Sequence, residues 1–530
     1  MTEPIYGSGS FWELLERRSQ LSPSAVMLRD EKERSLTFAE FHARAERAAA
    51  GLRRLGVAAG TPVAWQLPTR IESIVVAFAL ARLGARQTPL IPIYRHREVA
   101  FVLAESGAEL FVIPGVWRSF DYRAMAEAVV PALPRAVELL ILSDGVPEAD
   151  PGELPPLGGP SEAVSWVYYT SGTTSQPKGV QHTDRTLLAG AESLAVAWGA
   201  GANDVVHMAM PFAHIAGPDV VGAALCHGFP LSIAESFAPE EAVDQCRRQG
   251  VTLAGGSTAY YLGFLAEQRK APAAPVVPTL KALFGGGAPS SPAIFEQVRD
   301  EMGVRVLHGY GMTECPMISQ GRLGDSEDQL SHSDGHPVRD AAVVSKASDG
   351  SQQPVLVDGE LCVRGPLVFV GYTDPTLDTF DDDGWFHTGD VGHLRPDGHV
   401  VVTGRLKDII IRKGENVSAK EVEDVIYAHP AVLACAVIGL PDPERGERVC
   451  AVVELRDGAR PLTLSELHDH CRSAGMMIQK IPEQLEIVAA LPRNATLKVL
   501  KNVLRDRLGG TSGALAPAGD GAASGDATRE

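Results

Sequence analysis

Short runs of Val and Ile alternate along the chain with longer stretches in which apolar residues recur at helical spacing. That alternation predicts layered α/β units, with helices packed on sheets, rather than an all-β fold. Residues 164–169 (VSWVYY) are a compact β-prone run bounded upstream by the Pro-rich PGELPPLGGP, and read as a buried strand. Leu187, Leu188, Ala191, Leu194, Ala195 and Trp198 then share one face of a helix that can start at Thr183. The apolar run 73–85 is broken by Arg82 and is too short to span a bilayer. Near Gly404 the pattern changes to small βα units. Ser418 with Glu421, and Thr463 with Glu466, have the S/T-x-x-E spacing of a helix-capping box, so a second domain of about a hundred residues is expected there. No internal repeat is present. The last segment, GGTSGALAPAGDGAASGDATRE, has almost no bulky apolar residues and is expected to be disordered.

With 530 residues, 45% of them hydrophobic, the chain can bury a large core and should divide into at least two domains. Its 48 basic against 66 acidic side chains give a net charge of -18, which argues against a nucleic-acid or anionic-membrane surface. A polyanionic ligand would therefore need a local cationic site. Seven scattered cysteines with no C-x-x-C pair suit a reducing cytoplasm. The opening MTEPIYGSGSFWELLERRSQ lacks a cationic start followed by an apolar block, so neither signal peptide nor membrane span is expected.

The chemistry concentrates in YYTSGTTSQPKGV (168–180). Thr170, Ser171, Thr173 and Thr174 surround Gly172, and Lys178 adds a fixed positive charge. Hydroxyl donors, a glycine that allows close backbone approach and a cation suit polyphosphate oxygens. The loop is expected at a strand–helix junction, where backbone N–H groups can face an anion. It is not a P-loop, because Pro177 precedes Lys178 and Gly179 follows it. Nor is GYGMTE (309–314) a dinucleotide fingerprint, since the last glycine of G-x-G-x-x-G is missing. The His468, Asp469, His470, Cys471 cluster looks like metal ligands, but adjacent helical positions point apart; His332, Asp334 and His336 are an equally weak set.

The loop resembles the phosphate-binding signature of the adenylate-forming superfamily, which includes acyl-CoA synthetases, luciferases and the adenylation domains of peptide synthetases. Seven further stretches resemble that family's motifs in the expected order. They are ARLGARQTPLIPIY (81–94), MPFAHIAG (210–217), GGGAP (285–289), HGYGMTE (308–314), WFHTGD (385–390), GRLKDIIIRKGENVSAKEVE (404–423) and LPRNATLKVLK (491–501).

The resemblance implies an α/β protein with a large, multi-subdomain AMP-binding domain (1–406), a small mobile α+β domain (407–509) and a tail (510–530). It implies ATP-dependent activation of a carboxylic acid as an acyl-adenylate, followed by thiol attack, with ATP, Mg²⁺ and coenzyme A as partners. It leaves a homodimer open. Thr170, Ser171, Gly172, Thr173, Thr174 and Lys178 would cradle the β- and γ-phosphates. Thr313 would bond the α-phosphate and Glu314 would hold Mg²⁺. Tyr310 would stack on adenine beside Gly286, Gly287 and Gly311. Asp390 would accept from the ribose hydroxyls, with Arg405 nearby. Lys498 would bridge the substrate carboxylate and the α-phosphate. His214, Ile215, Gly217, Gly285 and Gly311 would border the acyl pocket, His214 as its gate. Lys407 matches the hinge, and Lys413 with Gly414 would line the pantetheine tunnel.

Two positions depart from the family pattern. Ser175 and Leu497 stand where glycine is common; positive φ at either would cost a side chain about 1–2 kcal/mol. Ile215 occupies the place where amino-acid-activating relatives carry an aspartate, and an ammonium buried there would be uncompensated. An apolar acid is therefore expected, and the Gly- and Ala-rich segments PFAHIAGPD, AGGSTAYY and GGGAP leave room for a medium-chain, branched or cyclic one. Three readings stay open: an acid–CoA ligase, a stand-alone enzyme that loads a carrier-protein thiol, and a nucleotide-binding relative that has lost catalysis.

Overall fold

The structure, a computed structural model, describes residues 3–158, 162–170, 177–287, 291–377, 379–412, 415–494 and 497–509. The chain is a mixed α/β protein of two compact units. The larger comprises Met1–Asp408 with Arg493–Lys498, and the smaller comprises Ile409–Pro492 with the chain from Val499 on.

Two large sheets organise the bigger unit. One has nine strands and, through Val206–Met208, Leu253–Gly256, Ala282–Gly286 and Arg305–Met312, runs parallel at its centre. The other has seven strands, with Arg86–Pro89, Pro62–Trp65 and Leu110–Ile113 parallel at its centre. Parallel sheets require cover on both faces. The helix Ile71–Leu83 supplies some of it and is buried along nearly its whole length, which explains why its sequence is apolar all round. Among the described residues no helix is long and apolar enough to cross a membrane. A third sheet, four-stranded and antiparallel, carries Ala342–Lys346, Gly359–Arg364, Phe386–Leu394 and Val400–Arg405.

The strand expected over 164–169 is Trp166–Thr170, buried at its first four positions. The helix expected from Thr183 is Asp184–Trp198, and the Thr183 side chain accepts from Thr186 N as its N-cap. The expectation of a strand–helix junction between them is corrected. Lys178–His182 forms a second strand, antiparallel to the first, with Lys178 paired to Thr170 and His182 to Trp166. Val180 and His182 are fully buried on it, and this local burial outweighs the pull of the downstream helix. The described chain on either side of the Ser/Thr segment is therefore a pair of antiparallel strands. Ser171, Gly172, Thr173, Thr174 and Ser175 lie outside the described residues, as do Lys413, Gly414 and the tail 510–530.

In the smaller unit, Gly446–Leu455 pairs with Val432–Asp442 on one side and, in parallel, with Gln484–Val488 on the other. Thr463 and Glu466 make a complete capping box at Leu464–Ser473. Ser418 caps Ala419–Tyr427, accepting from Glu421 N, while the Glu421 carboxylate bonds Lys480 at 2.6 Å. The core is apolar, built on Val422, Ile426, Val437, Val453 and Leu467.

Candidate functional site

Lys178 begins the second strand of that antiparallel pair, and the short strand Gly371–Tyr372 pairs beside it, with Val180 opposite Tyr372. This register puts the Lys178 ammonium 4.9 Å from the centre of the Tyr372 ring. The Tyr372 hydroxyl in turn donates to Glu314 Oε1 at 2.7 Å. Glu314 lies with Thr313 in the tight turn between Arg305–Met312 and Cys315–Gln320. Its carbonyl accepts from Phe369 N at 2.8 Å, so both main chain and side chain are fixed. Oε2 carries no hydrogen bond among the described residues. A half-buried carboxylate with one oxygen unbonded among the described residues has the chemistry to hold a hard divalent ion.

Thr313 is held from beneath by His182, whose Nε2 lies 2.8 Å from the Thr313 carbonyl. A carbonyl only accepts, so this nitrogen carries the proton. Burial pushes the His182 pKa down to about 4, the Thr313 bond opposing it in part, and the ring is neutral at physiological pH.

On Arg305–Met312, the strand that leads into the Thr313 turn, Tyr310 donates its hydroxyl to Asp390 Oδ2 at 2.8 Å, while Arg405 Nε lies 2.9 Å from Asp390 Oδ1. Asp390 is 2% exposed, so each carboxylate oxygen has a fixed donor. Burial, then the Asp390 charge, holds the Tyr310 phenol well above its usual range, and it remains a donor. Partial burial works against the Arg405 charge, but Asp390 and Asp408 outweigh it and raise its pKa.

Gly285 and Gly286 pair with His308 and Gly309 on the parallel neighbour, and Gly287 has φ +71°, a left-handed conformation that glycine adopts without strain. Gly311 is on the Tyr310 strand. Gly217 packs so closely that a Cβ there would lie 2.2 Å from the Phe212 carbonyl oxygen, so this turn of the apolar motif admits no side chain. Ile215 is 4% exposed at the entry to the helix Ala216–His227. His214 Nδ1 accepts from Ala216 N at 3.3 Å. Burial first and the Lys498 charge second push the His214 pKa down to about 4, so the ring is a neutral wall.

Lys498 closes a turn belonging to the larger unit. Its N–H donates to Asn494 Oδ1 at 2.9 Å, its carbonyl accepts from Asn494 N at 2.9 Å, and Arg493 Nη1 donates to the Leu497 carbonyl at 3.0 Å. Leu497 has φ +63°, so the position that departs from glycine is indeed left-handed. Lys407 lies in the 3₁₀ turn Leu406–Asp408, immediately before the boundary between the units.

Lys178 and Glu314 thus share Tyr372, Tyr310 and Arg405 share Asp390, and Thr313, next to Glu314, is held by His182. His468 and His470 are not: they bond different carbonyls, of Pro482 and Val425. Sequence reasoning missed Tyr372 and His182. His182 stands two residues past the quoted stretch 168–180 and could have been found as a polar residue at an apolar-face position of a strand. Tyr372, nearly two hundred residues downstream of Lys178, gave no such signal.

The comparisons with known proteins cover nearly the whole chain. A family model described as AMP-binding enzyme matches residues 15–373, and one described as AMP-binding enzyme C-terminal domain matches residues 421–498. A 2-hydroxy-7-methoxy-5-methyl-1-naphthoate–CoA ligase of Streptomyces carzinostaticus is 32% identical, over 95% of this chain and 95% of its own. A salicyl-AMP ligase / salicyl-S-ArCP synthetase of Mycobacterium tuberculosis is also 32% identical, over 90% of this chain and 86% of its own. The crystal structure of ATP-bound MatB from Rhodopseudomonas palustris superposes with a TM-score of 0.83 at 27% identity, covering 94% of this chain and 99% of that one.

Proposed function

Because the chain belongs to the AMP-binding enzymes of the adenylate-forming superfamily, we propose that it joins an apolar carboxylic acid to coenzyme A in two steps at one site. In the first, the acid's carboxylate attacks the α-phosphate of ATP and pyrophosphate leaves. In the second, the CoA thiol attacks the acyl carbon and AMP leaves.

Two anions must meet in the first step, so the site has to neutralise charge without moving. Lys498 lies between the carboxylate and the α-phosphate, and Lys178 faces the outer phosphates. Bound Mg²⁺ would neutralise phosphate charge and orient the leaving pyrophosphate, with Glu314 as its protein ligand. Thr313 donates to the α-phosphate. Asp390 takes both ribose hydroxyls, held in place by Tyr310 and Arg405. The neutral His214 and the buried Ile215 give an apolar wall that rejects an ammonium and accepts an uncharged acyl body. Aromatic acids fit this wall, and aromatic acids are the named substrates of the naphthoate and salicylate relatives. Lys407 is the hinge on which the smaller unit turns between the two steps.

The observation that supports this reading is the Lys178, Tyr372, Glu314 chain, in which a cation and a carboxylate whose second oxygen is unbonded among the described residues meet at one ring. The test is release of AMP and pyrophosphate across a panel of aromatic, branched and medium-chain acids with CoA present. CoA-dependent AMP release with at least one acid supports the proposal. No pyrophosphate exchange with any acid would overturn it. The salicyl-S-ArCP synthetase among the relatives favours a second reading, transfer to a carrier-protein phosphopantetheine. A carrier accepting the acyl group where free CoA fails would decide for it.

A further inference from the structure

Away from the nucleotide residues, the antiparallel sheet brings together one group of donors that the adenylation chemistry does not use. Gly359–Arg364 and Phe386–Leu394 pair with Glu360 opposite Val391 but Cys362 opposite His387, so the second strand bulges at Thr388–Gly389. Because His387 is opposite Cys362 and Glu360 lies two residues from Cys362, the three side chains fall on one face of the sheet. His387 Nδ1 lies 2.7 Å from Glu360 Oε2 and 3.6 Å from Cys362 Sγ, and the three donor atoms all fall within 4.8 Å of one another. A tetrahedral ion with Zn–S of about 2.3 Å and Zn–N of about 2.0 Å sets sulfur and nitrogen roughly 3.5 Å apart. The sulfur–nitrogen spacing matches that. The nitrogen–oxygen pair is at hydrogen-bond length and would open by about half an ångström on loading.

A second observation points to a metal. The other imidazole nitrogen, Nε2, faces Asp381 Oδ2 at 3.5 Å, and Asp381 is itself anchored 2.5 Å from the Lys346 ammonium. A carboxylate behind the far nitrogen is how metal-bound imidazoles are oriented. Cys362 is fully buried, whereas the Glu360 and His387 side chains are 22% and 33% exposed, which gives an ion a way in. Among the described residues this is the one group of three or more such donors gathered so closely.

We propose that Glu360, Cys362 and His387 bind a zinc-class divalent ion, separate from the Mg²⁺ of the nucleotide site. One sulfur, one imidazole and one carboxylate select a borderline ion over the hard Mg²⁺. On binding, the Cys362 thiol proton passes to solvent, the proton between His387 Nδ1 and Glu360 moves to Nε2, where it faces Asp381, and the fourth ligand position stays open. Glu360 Oε1 also accepts from Gly389 N at 3.0 Å, so the ion tethers the strand that carries Asp390.

Cobalt titration of the purified full-length protein, without nucleotide, tests this. The expected result is one equivalent of Co²⁺ with a thiolate charge-transfer band and tetrahedral d–d bands. Zn²⁺ should displace it and excess Mg²⁺ should not. Cys362→Ser should abolish the thiolate band. His387→Gln, which keeps the thiol and serves if Cys362→Ser does not fold, should weaken cobalt binding at least ten-fold. The proposal is overturned by a wild-type protein with no thiolate band, by a folded Cys362→Ser variant that keeps it, or by unchanged affinity in His387→Gln.

Discussion

Tyr372 donates to Glu314 across 2.7 Å while its ring sits 4.9 Å from the Lys178 ammonium, so one phenol touches both a carboxylate and a cation. Burial, then the Glu314 charge, raises the Tyr372 pKa far above its ordinary value, so it serves as a permanent donor. Removing the hydroxyl leaves Glu314 free to turn.

Tyr372→Phe should therefore lower the adenylation rate roughly ten-fold, the worth of one hydrogen bond of about 1.5 kcal/mol to a charged group. It should also raise the Mg²⁺ concentration needed for half-maximal rate. The ring and its packing stay, so the melting temperature should move little. Pyrophosphate exchange measured against Mg²⁺ concentration checks this.

Asp390 is pinned from two sides, by Tyr310 at 2.8 Å and Arg405 at 2.9 Å. Asp390→Asn keeps the shape but replaces a charged acceptor, and it should raise the KM for ATP at least ten-fold, with a smaller change in kcat. Tyr310→Phe should have the same sign and a smaller size. Initial rates against ATP concentration decide.

Leu497 holds φ +63° in the turn that presents Lys498. Leu497→Gly removes about 1–2 kcal/mol of left-handed strain but adds about 0.5–1 kcal/mol of unfolded-state entropy, so stability should stay equal or rise by up to about 1.5 kcal/mol, with adenylation retained. Leu497→Val puts a β-branched residue where φ must be positive, and adenylation should fall several-fold while thioester formation from supplied acyl-adenylate survives. Comparing the two half-reactions in both variants tests the turn.

His182 is fully buried, and its folded pKa of about 4 lies below the ordinary 6.5. As pH falls below about 6.5, the unfolded chain gains a proton that the folded chain refuses, so His182 costs stability by up to about 1.4 kcal/mol per pH unit until pH nears 4. His182→Gln lacks this penalty. Its stability relative to wild type should improve steadily from pH 7 to pH 5 in denaturant titrations.

Much of the architecture is legible in the sequence, because burial imposes period. The helix after Thr183 and the strand before the hydroxyl-rich loop follow from apolar spacing alone. The antiparallel pairing did not, because Lys178–His182 is short and its sheet partner Gly371–Tyr372 is remote in sequence. The site shows the same division. Glu314, Asp390 and Lys498 stand in local motifs, but their supports come from elsewhere in the chain: Tyr372 for Glu314, and Asn494 and a left-handed Leu497 for Lys498. Such supports are set by tertiary packing, and no single-chain periodicity encodes them.

The central claim is that Lys498 supplies the cation of the first half-reaction alone, and the direct measurement is single-turnover kinetics of both halves in Lys498→Ala. Acyl-adenylate formation from acid and ATP should fall at least a hundred-fold, while CoA thioester formation from supplied acyl-adenylate stays within a few-fold of wild type. Equal loss in both halves, or full adenylation without the lysine, would contradict the account.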